Sequence, residues 1–385
     1  VFNRIISKDN RNETDEIKTA KKKLYYKYVF LNTIDIKAAI NDIENDEERE
    51  NVRLNATGKN ILLIDDEADK GWSFVLKDKF FVNSNFDVIN SAIADYSDIS
   101  ETIRKKIESD YYDLYLLDLR LLGTKEDEIY SADEFSGMKI LKEIKNKNQG
   151  NQVVILTASN KAWNMKALLD AGADGYYIKE SPELKLPMSF SKANFQAFKH
   201  DVAIAFDNSF KKKIVRKLNS LISTINSSNN LKHNNDLSLE LVNVFNNSLR
   251  QIIAAKSKND FAFSYIALFQ TFEVLSREYV HEVENGDWNL DLYNIDSKTG
   301  AVMNAISRSD TPHPPIISKL VAIYKTKQGV HNNGFALKLN ELIKMRHAFV
   351  HKLKELSFPK NQKIFTKEGF ILLLETVEKI INSIV

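Results

Sequence analysis

Five polar residues, each placed directly after a short apolar run, could do chemistry together. They are three carboxylates (Asp65, Asp66 and Asp118), one hydroxyl (Thr157) and one ammonium (Lys179). Grouped carboxylates repel one another unless a divalent cation lies between them, and their hard oxygen ligands suit Mg2+. A hydroxyl and an ammonium beside them would hold phosphoryl oxygens. If the runs meet in space, these residue types predict a Mg2+ and phosphoryl site.

The apolar runs are of the kind that forms buried strands. Continuous leucine and β-branched runs, separated by helical stretches, predict a parallel sheet covered on both faces. In open sheets of this kind, ligands bind beyond the carboxyl ends of the strands. The polar residues that end the runs are therefore expected to converge on one crevice. The runs lie at 60–64, 114–117, 152–156 and 175–178.

These residues, in this order, resemble the receiver domain of two-component response regulators over roughly residues 59 to 182. The resemblance implies a flavodoxin-like α/β fold with a parallel five-stranded sheet. It also implies that Asp118 accepts the phosphoryl group and binds Mg2+ with Asp65 and Asp66. Thr157 and Lys179 would contact the phosphoryl group. The implied phosphodonor is a sensor histidine kinase or phosphotransfer protein, and the implied location is cytoplasmic.

Three positions near the expected site need separate interpretation. Tyr176 stands three residues before Lys179, where the family has a switch aromatic; a partly buried strand-end aromatic is the alternative. A long acidic stretch from Leu121 to Ser136 replaces the short proline-containing loop of receivers. It could cover the site, recruit a partner or only connect, and a solvated insertion is the default. Glu180 stands where receivers usually have proline after the lysine.

Composition bounds the whole chain without assigning a partner to it. The 385 residues suggest two or three domains, and 43% hydrophobic with 28% charged residues is typical of globular proteins. A formal net charge of +2 gives no global attraction to nucleic acid or membrane. The absence of cysteine excludes disulfides and thiolate metal sites and fits a reducing compartment. No apolar run approaches the roughly 20 residues of a membrane span, so no membrane association is expected.

The chain is predicted to have four parts. The segment from Phe190 to Ile225 is periodic enough for one long helix, and 227–235 is a polar linker. The last part is predicted to be an all-α bundle with helices at 237–255, 261–283, 316–325, 336–349 and 370–384. The parts are a helical N-terminal extension (1–58), the receiver domain (59–187), a helical connector and linker (188–235) and the helical C-terminal domain (236–385).

A late helix of this bundle carries a second motif, Arg346-His347 followed by His351. It resembles the signature of HEPN domains, helical bundles that are often metal-independent ribonucleases. Cleavage of RNA without a metal needs a group of near-neutral pKa and a fixed cation for the phosphate, and His351 and Arg346 are those types. By the resemblance, His347 is the polar second position, and no cofactor is expected there. Glu273 is a candidate partner for Arg346.

The spacing of this motif limits how it works. Five residues place Arg346 and His351 about 140° apart around an ideal helix. They would converge only at a helix end or across a dimer, and in the family two copies commonly face each other in a homodimer. From Lys319 to Lys367 there are eleven Lys or Arg and two Glu residues, a local charge of about +9 that suits an RNA backbone.

Other interpretations stay open for the C-terminal domain. His347 and His351 are one turn apart and could bind a metal, although two histidines are one or two ligands short. They could also be surface residues of a bundle that only dimerises. The sequence therefore predicts a response regulator that controls a HEPN-like ribonuclease, with a non-enzymatic dimerisation or partner-binding switch as the alternative. A receiver that has lost phosphorylation and serves as a scaffold is a third.

Overall fold

The computed structural model describes the chain from residue 53 to residue 385, with gaps. The predicted helical extension at 1–58 falls almost entirely outside the described residues. The chain divides into two compact units, Val1–Ser209 and Phe210–Val385. Among the described helices, none is both long and apolar enough to cross a membrane. The described residues are 53–90, 96–108, 111–126, 129, 131–158, 162–179, 188–232, 234–255, 258–284, 286–352 and 367–385.

The first unit contains the predicted parallel sheet. Its five strands run in the order β2-β1-β3-β4-β5, and every neighbouring pair is parallel. A separate two-residue pairing joins Leu54–Asn55 to Phe81–Val82. The predicted fold class is confirmed for this part of the chain. The strands are β1 (Asn60–Asp65), β2 (Asn85–Asn90), β3 (Leu114–Asp118), β4 (Val153–Thr157) and β5 (Gly175–Ile178).

Helices cover both faces of the sheet, which explains the continuous apolar runs. Successive strand residues point to opposite faces, so Leu62 and Ile64 join one buried cluster while Ile61 and Leu63 join the other. The first cluster includes residues of α1, α2 and α3, and the second includes the helical segment at 68–80 and α4. The helices are α1 (Tyr96–Glu108), α2 (Ser136–Lys147), α3 (Ala162–Asp170) and α4 (Met188–Asn208).

The long helix predicted from Phe190 to Ile225 is two helices, α4 and α5 (Lys211–Ser227). Helix α4 buries Phe195, Phe198 and Val202 in the sheet cluster. Helix α5 buries apolar residues in the core of the second unit. Periodicity missed the break because both halves are amphipathic, but their apolar faces serve different cores. The division between the units falls at 209–210, inside the segment predicted as a connector.

The second unit is largely helical, and the five predicted helices are present in it. The stretch predicted as a linker holds a short helix, α6 (Asn229–Lys232), and Leu231 is buried. The expectation of an all-α domain is corrected by an antiparallel hairpin of β6 (Tyr293–Ile295) and β7 (Val302–Ala305). These strands are too short to show a reliable alternating pattern. The longer helices are α7 (Asn235–Ala254), α8 (Lys258–Tyr279), α9 (Ile316–Gln328), α10 (Asn333–Lys352) and α11 (Lys367–Ile384).

Candidate functional site

The topology of the sheet brings the predicted strand-end residues to one edge. Asp65 ends β1, Asp118 ends β3 and Thr157 ends β4, while Lys179 directly follows β5. These strands are neighbours in the order β1-β3-β4-β5. The register pairs Asp118 with Leu156 and Thr157 with Ile178, so the strand ends are nearly level. Residues that are far apart in sequence therefore meet because parallel strands share one carboxyl edge.

Three carboxylates form the centre of this crevice. Oxygen atoms of Asp65, Asp66 and Asp118 lie within 4.8 Å of one another. Asp65 is fully buried, Asp118 is 8% exposed and Asp66 is half-buried. The Glu67 N–H donates to Asp65 Oδ1 at 2.9 Å, and the Arg120 N–H donates to Asp118 Oδ1 at 3.2 Å. Buried negative charge at this density requires a positive partner.

Lys179 supplies that positive charge in the structure. Its ammonium donates to Asp65 Oδ2 at 2.6 Å and to Asp118 Oδ2 at 2.5 Å, and the residue is 7% exposed. Its main-chain N–H donates to the Thr157 carbonyl at 2.6 Å, which fixes where the side chain begins. The ammonium also lies 5.5 Å from the ring centre of Trp72. The lysine thus bridges the ends of two strands.

Burial and charge shift the pKa values of this pair. Burial raises the pKa of Asp118 to about 7; the Lys179 ammonium opposes this rise, and the Asp65 carboxylate adds to it. Burial alone would lower the pKa of Lys179, but the carboxylates of Asp118 and Asp65 outweigh it and raise that pKa. Lys179 therefore stays protonated, and cations next to Asp118 favour its carboxylate form.

The donor set fits a magnesium ion. The Asp65, Asp66 and Asp118 cluster is of the type that forms the Mg2+ site of receivers. One oxygen from each carboxylate lies within 4.8 Å of the others, close enough for one small cation to bind all three. Carboxylate oxygens are also the ligands that Mg2+ prefers.

Thr157 and Tyr176 are the predicted phosphoryl contact and switch aromatic. Thr157 is 2% exposed at the end of β4. Tyr176 is half-buried on β5 and packs against the first apolar cluster of the sheet. Its N–H donates to the Asp201 carboxylate of α4. Their roles in a switch stay predictions, and Glu180 lies outside the described residues.

Sequence reasoning missed Gly137, near the start of α2. A Cβ at this position would lie 2.1 Å from the Asp118 carbonyl oxygen and 2.7 Å from Leu119 Cα. The Gly137 N–H also donates to the Leu119 carbonyl at 3.0 Å. Only glycine allows α2 to approach the end of β3 this closely. A glycine just after the acidic loop was the available signal, but close approach of backbones cannot be recognised from sequence alone.

Comparison with known proteins identifies the sheet-bearing part of the chain. No protein-family model matches the chain. A stretch of 75 residues is 37% identical to the nitrate/nitrite response regulator protein NarP of Escherichia coli, covering 19% of this chain and 30% of that protein. The strand order and the acidic cluster described above agree with this similarity to a response regulator. This part of the chain is a response regulator receiver domain.

Solved structures with similar folds were also found. A two-component response regulator from Clostridium difficile is 24% identical and matches 37% of this chain and 96% of that chain, with a TM-score of 0.24. A CheY-like receiver domain protein from Methanospirillum hungatei is 19% identical and matches 37% and 98%, with a TM-score of 0.23. Scores this low carry no weight beside the receiver domain's own geometry and the sequence match. The chain spans only 30% of the curated relative's length.

The second predicted motif lies on α10 in the second unit. The Arg346 guanidinium donates to Glu273 Oε1 of α8 at 2.7 Å and lies 5.4 Å from the ring centre of Phe269. The expected contact between Arg346 and Glu273 is therefore observed. His347 is exposed, and the side chain of His351 lies outside the described residues. Positions 346 and 351 share one continuous helix, so the helix itself does not bring them together.

Proposed function

We propose that Asp118 accepts a phosphoryl group from a sensor histidine kinase or a phosphotransfer protein, with Mg2+ bound by Asp65, Asp66 and Asp118. The observation that carries the proposal is the buried Lys179 ammonium joined to both Asp65 and Asp118 beside the third carboxylate. A structural ion pair needs one carboxylate for each ammonium. The excess negative charge here is what a divalent cation would neutralise, and that cation and Lys179 would together hold the oxygens of a phosphoryl group.

The transfer step uses residues of this crevice. A carboxylate oxygen of Asp118 forms a bond to phosphorus while the bond from phosphorus to the donor's imidazole nitrogen breaks. That electron pair returns to the imidazole, and Asp118 becomes an acyl phosphate. When bound, Mg2+ would neutralise charge that gathers on the phosphoryl oxygens. Lys179 would pair with the phosphoryl oxygens and Thr157 would donate its hydroxyl to one of them.

Phosphorylation at Asp118 would then act as a switch. A new charge at the end of β3 competes for the Lys179 ammonium and for the Thr157 hydroxyl. In the proposed response, Thr157 moves toward the phosphoryl group and the half-buried Tyr176 turns with it. The result is a shift between two receiver conformations that a partner surface reads.

For the second unit, we propose a HEPN-like, metal-independent ribonuclease whose site pairs two copies of the chain. The late position of α10 and the fixed Arg346 guanidinium support it, since a phosphate site needs a positioned cation. Arg346 would hold the scissile phosphate, His351 would move the 2'-hydroxyl proton and His347 would orient the phosphate. Positions 346 and 351 are about 140° apart around an ideal helix, so a homodimer would bring the two residue types together.

The alternative is a non-enzymatic switch whose helical unit dimerises or binds a protein. A specific observation favours it. Within one chain, the Arg346 guanidinium already pairs with Glu273 and lies against the Phe269 ring, as expected of a residue that stabilises the bundle. In this case phosphorylation would change assembly or partner binding without RNA cleavage.

One experiment separates these functions. The full chain is incubated with total RNA in EDTA and, in parallel, in Mg2+ with and without beryllofluoride, a phosphoryl mimic. Cleavage that is lost in His351→Ala and Arg346→Ala supports the ribonuclease. Arg277→Ala is the matched control, because Arg277 is an exposed arginine of α8 paired with Glu240. No cleavage in any condition favours the interaction module, and a beryllofluoride effect ties either output to Asp118.

A further inference from the structure

A buried carboxylate lies within the acidic loop at 121–136. Glu126 is 2% exposed, and its two oxygens accept three hydrogen bonds. Oε1 accepts from the Ser136 N–H at 2.6 Å, while Oε2 accepts from the Ser136 hydroxyl at 2.9 Å and from the Leu122 N–H at 3.1 Å. One side chain therefore joins the beginning of the loop to its end.

The contacts around Glu126 form a closed network. The Ser136 hydroxyl also accepts from the Leu121 N–H at 2.8 Å. Burying a carboxylate is costly unless such charge-assisted hydrogen bonds compensate for lost water. At its two ends, the loop is thus built into the receiver domain and is not a solvated insertion there.

Both ends of this network lie against the acidic crevice. Gly137, next to Ser136, packs on the Asp118 carbonyl so closely that a Cβ would lie 2.1 Å from its oxygen. Gly123, next to Leu122, has a φ of +57°, and a Cβ there would lie 3.6 Å from Asp66 Oδ2. The backbone beside two predicted metal ligands is therefore held in place through Glu126.

We propose that Glu126 is a positioning residue for the metal and phosphoryl site. It fixes the backbone at 121–123 against Asp66 and the start of α2 against Asp118. The inference rests on the proposed phosphoacceptor function and deepens it, because it gives the acidic loop a task at the same site. Glu126 does not touch the reacting atoms and acts only through this backbone.

The test compares two substitutions that remove the same charge from the same loop. In Glu126→Gln, an NH2 group replaces one oxygen and faces an N–H donor, so the network cannot close. In Asp133→Asn, the lost carboxylate is exposed and pairs with Lys142 on the surface of α2. Both are made in the full chain, and thermal unfolding shows whether each remains folded.

Two measurements report on the proposal. Hydrogen exchange without metal follows the amides of Leu122 and Ser136, which should exchange faster in Glu126→Gln alone. Titration with Mg2+ alone gives the metal affinity, which should fall about tenfold in Glu126→Gln, as is usual when a residue supporting metal ligands is lost. Asp133→Asn should stay within about twofold of the wild type, as expected for an exposed ion pair. Ser136→Thr keeps the hydroxyl and should bind Mg2+ more tightly than Ser136→Ala.

Equal Mg2+ affinity in Glu126→Gln and Asp133→Asn overturns the proposal, whatever the exchange rates. If Glu126→Gln is insoluble, the two Ser136 variants are compared instead. Equal Mg2+ affinities in Ser136→Ala and Ser136→Thr would then overturn the proposal. If the variants lose Mg2+ affinity as predicted above but the wild-type chain does not bind beryllofluoride, the positioning role is upheld and the phosphoacceptor function is rejected. A wild-type chain that binds no Mg2+ at millimolar concentration rejects both.

Discussion

The side chains of Lys179 and Asp118 in the receiver crevice are 8% and 11% exposed, whereas those of Arg346 and Glu273 in the second unit are 34% and 47% exposed. Asp118 ends β3 and Lys179 directly follows β5, whereas the second pair connects two helices, α10 and α8. Both are close ion pairs, at 2.5 Å and 2.7 Å. Similar distances therefore occur in very different surroundings.

This difference in exposure determines how strongly each site depends on its ion pair. Charges in a dry crevice interact strongly, and an unpaired one is costly. Charges exposed to water are screened and gain little from pairing. The receiver crevice should thus depend on every member of its set, whereas the Arg346 pair should tolerate the loss of a partner without loss of the fold.

The largest expected effect comes from removing the buried cation. Lys179→Met leaves three carboxylates together without their ammonium, so the free energy of unfolding should fall by about 3–5 kcal/mol. Mg2+ should restore part of it by binding the same carboxylates. Urea denaturation with and without Mg2+ measures both effects. Lys142→Met, which removes an exposed ion pair with Asp133, is the control and should cost less than about 1 kcal/mol. Similar losses in both variants would break the contrast between buried and exposed charge.

A smaller effect is expected from crowding the wall of the crevice. Gly137→Ala forces a Cβ onto the end of β3, and strain of this kind typically costs about 1–3 kcal/mol. The nearest backbone should shift, so Mg2+ binding should weaken as well. Gly334→Ala on α10 is the control, because its Cβ would meet only the Asn332 side chain, at 3.4 Å. Denaturation midpoints that do not differ between the two variants would contradict the close packing of α2 on β3.

The exposed pair of the second unit should contribute still less. Glu273→Gln is expected to change the free energy of unfolding by less than about 1 kcal/mol. A double-mutant cycle with Arg346→Gln measures the coupling between the two side chains directly. A coupling energy as large as the loss predicted for Lys179→Met would show that this pair is shielded from water. The two sites would then not differ in the strength of their ion pairs.

The weakest effect concerns an exposed charge cluster of the receiver domain. The Tyr112 hydroxyl and then the Lys106 ammonium lower the pKa of Asp87. A carboxyl with a lowered pKa stabilises the fold above its unfolded value of about 3.9, and this is lost as the pH falls through the folded value. The stability difference between wild type and Asp87→Asn should be constant near neutral pH and shrink in acid. A stability difference that grows in acid would contradict the lowered pKa of Asp87.

The sequence predicted the crevice well because topology leaves little freedom there. Asp65, Asp118, Thr157 and Lys179 each follow an apolar run, and parallel strands bring such residues to one edge. The closed network of Glu126 could not be predicted, because an acidic loop residue has no pattern that distinguishes burial from exposure. Nor could the break between α4 and α5, since two amphipathic helices in series have continuous periodicity. The contact of Arg346 with Glu273 was anticipated, but a helical motif alone does not place His351.

The central claim is tested most directly by locating the phosphoryl group on the intact chain. The protein is incubated with Mg2+ and a small-molecule phosphodonor, and its mass is measured before the acyl phosphate hydrolyses. We predict a gain of one phosphoryl mass in the wild type, none in Asp118→Asn, and an unchanged gain in Asp113→Asn, which changes a carboxylate just before the opposite end of β3. A wild type that gains no mass, or an Asp118→Asn variant that gains as much, would contradict the assignment of Asp118 as the phosphoacceptor.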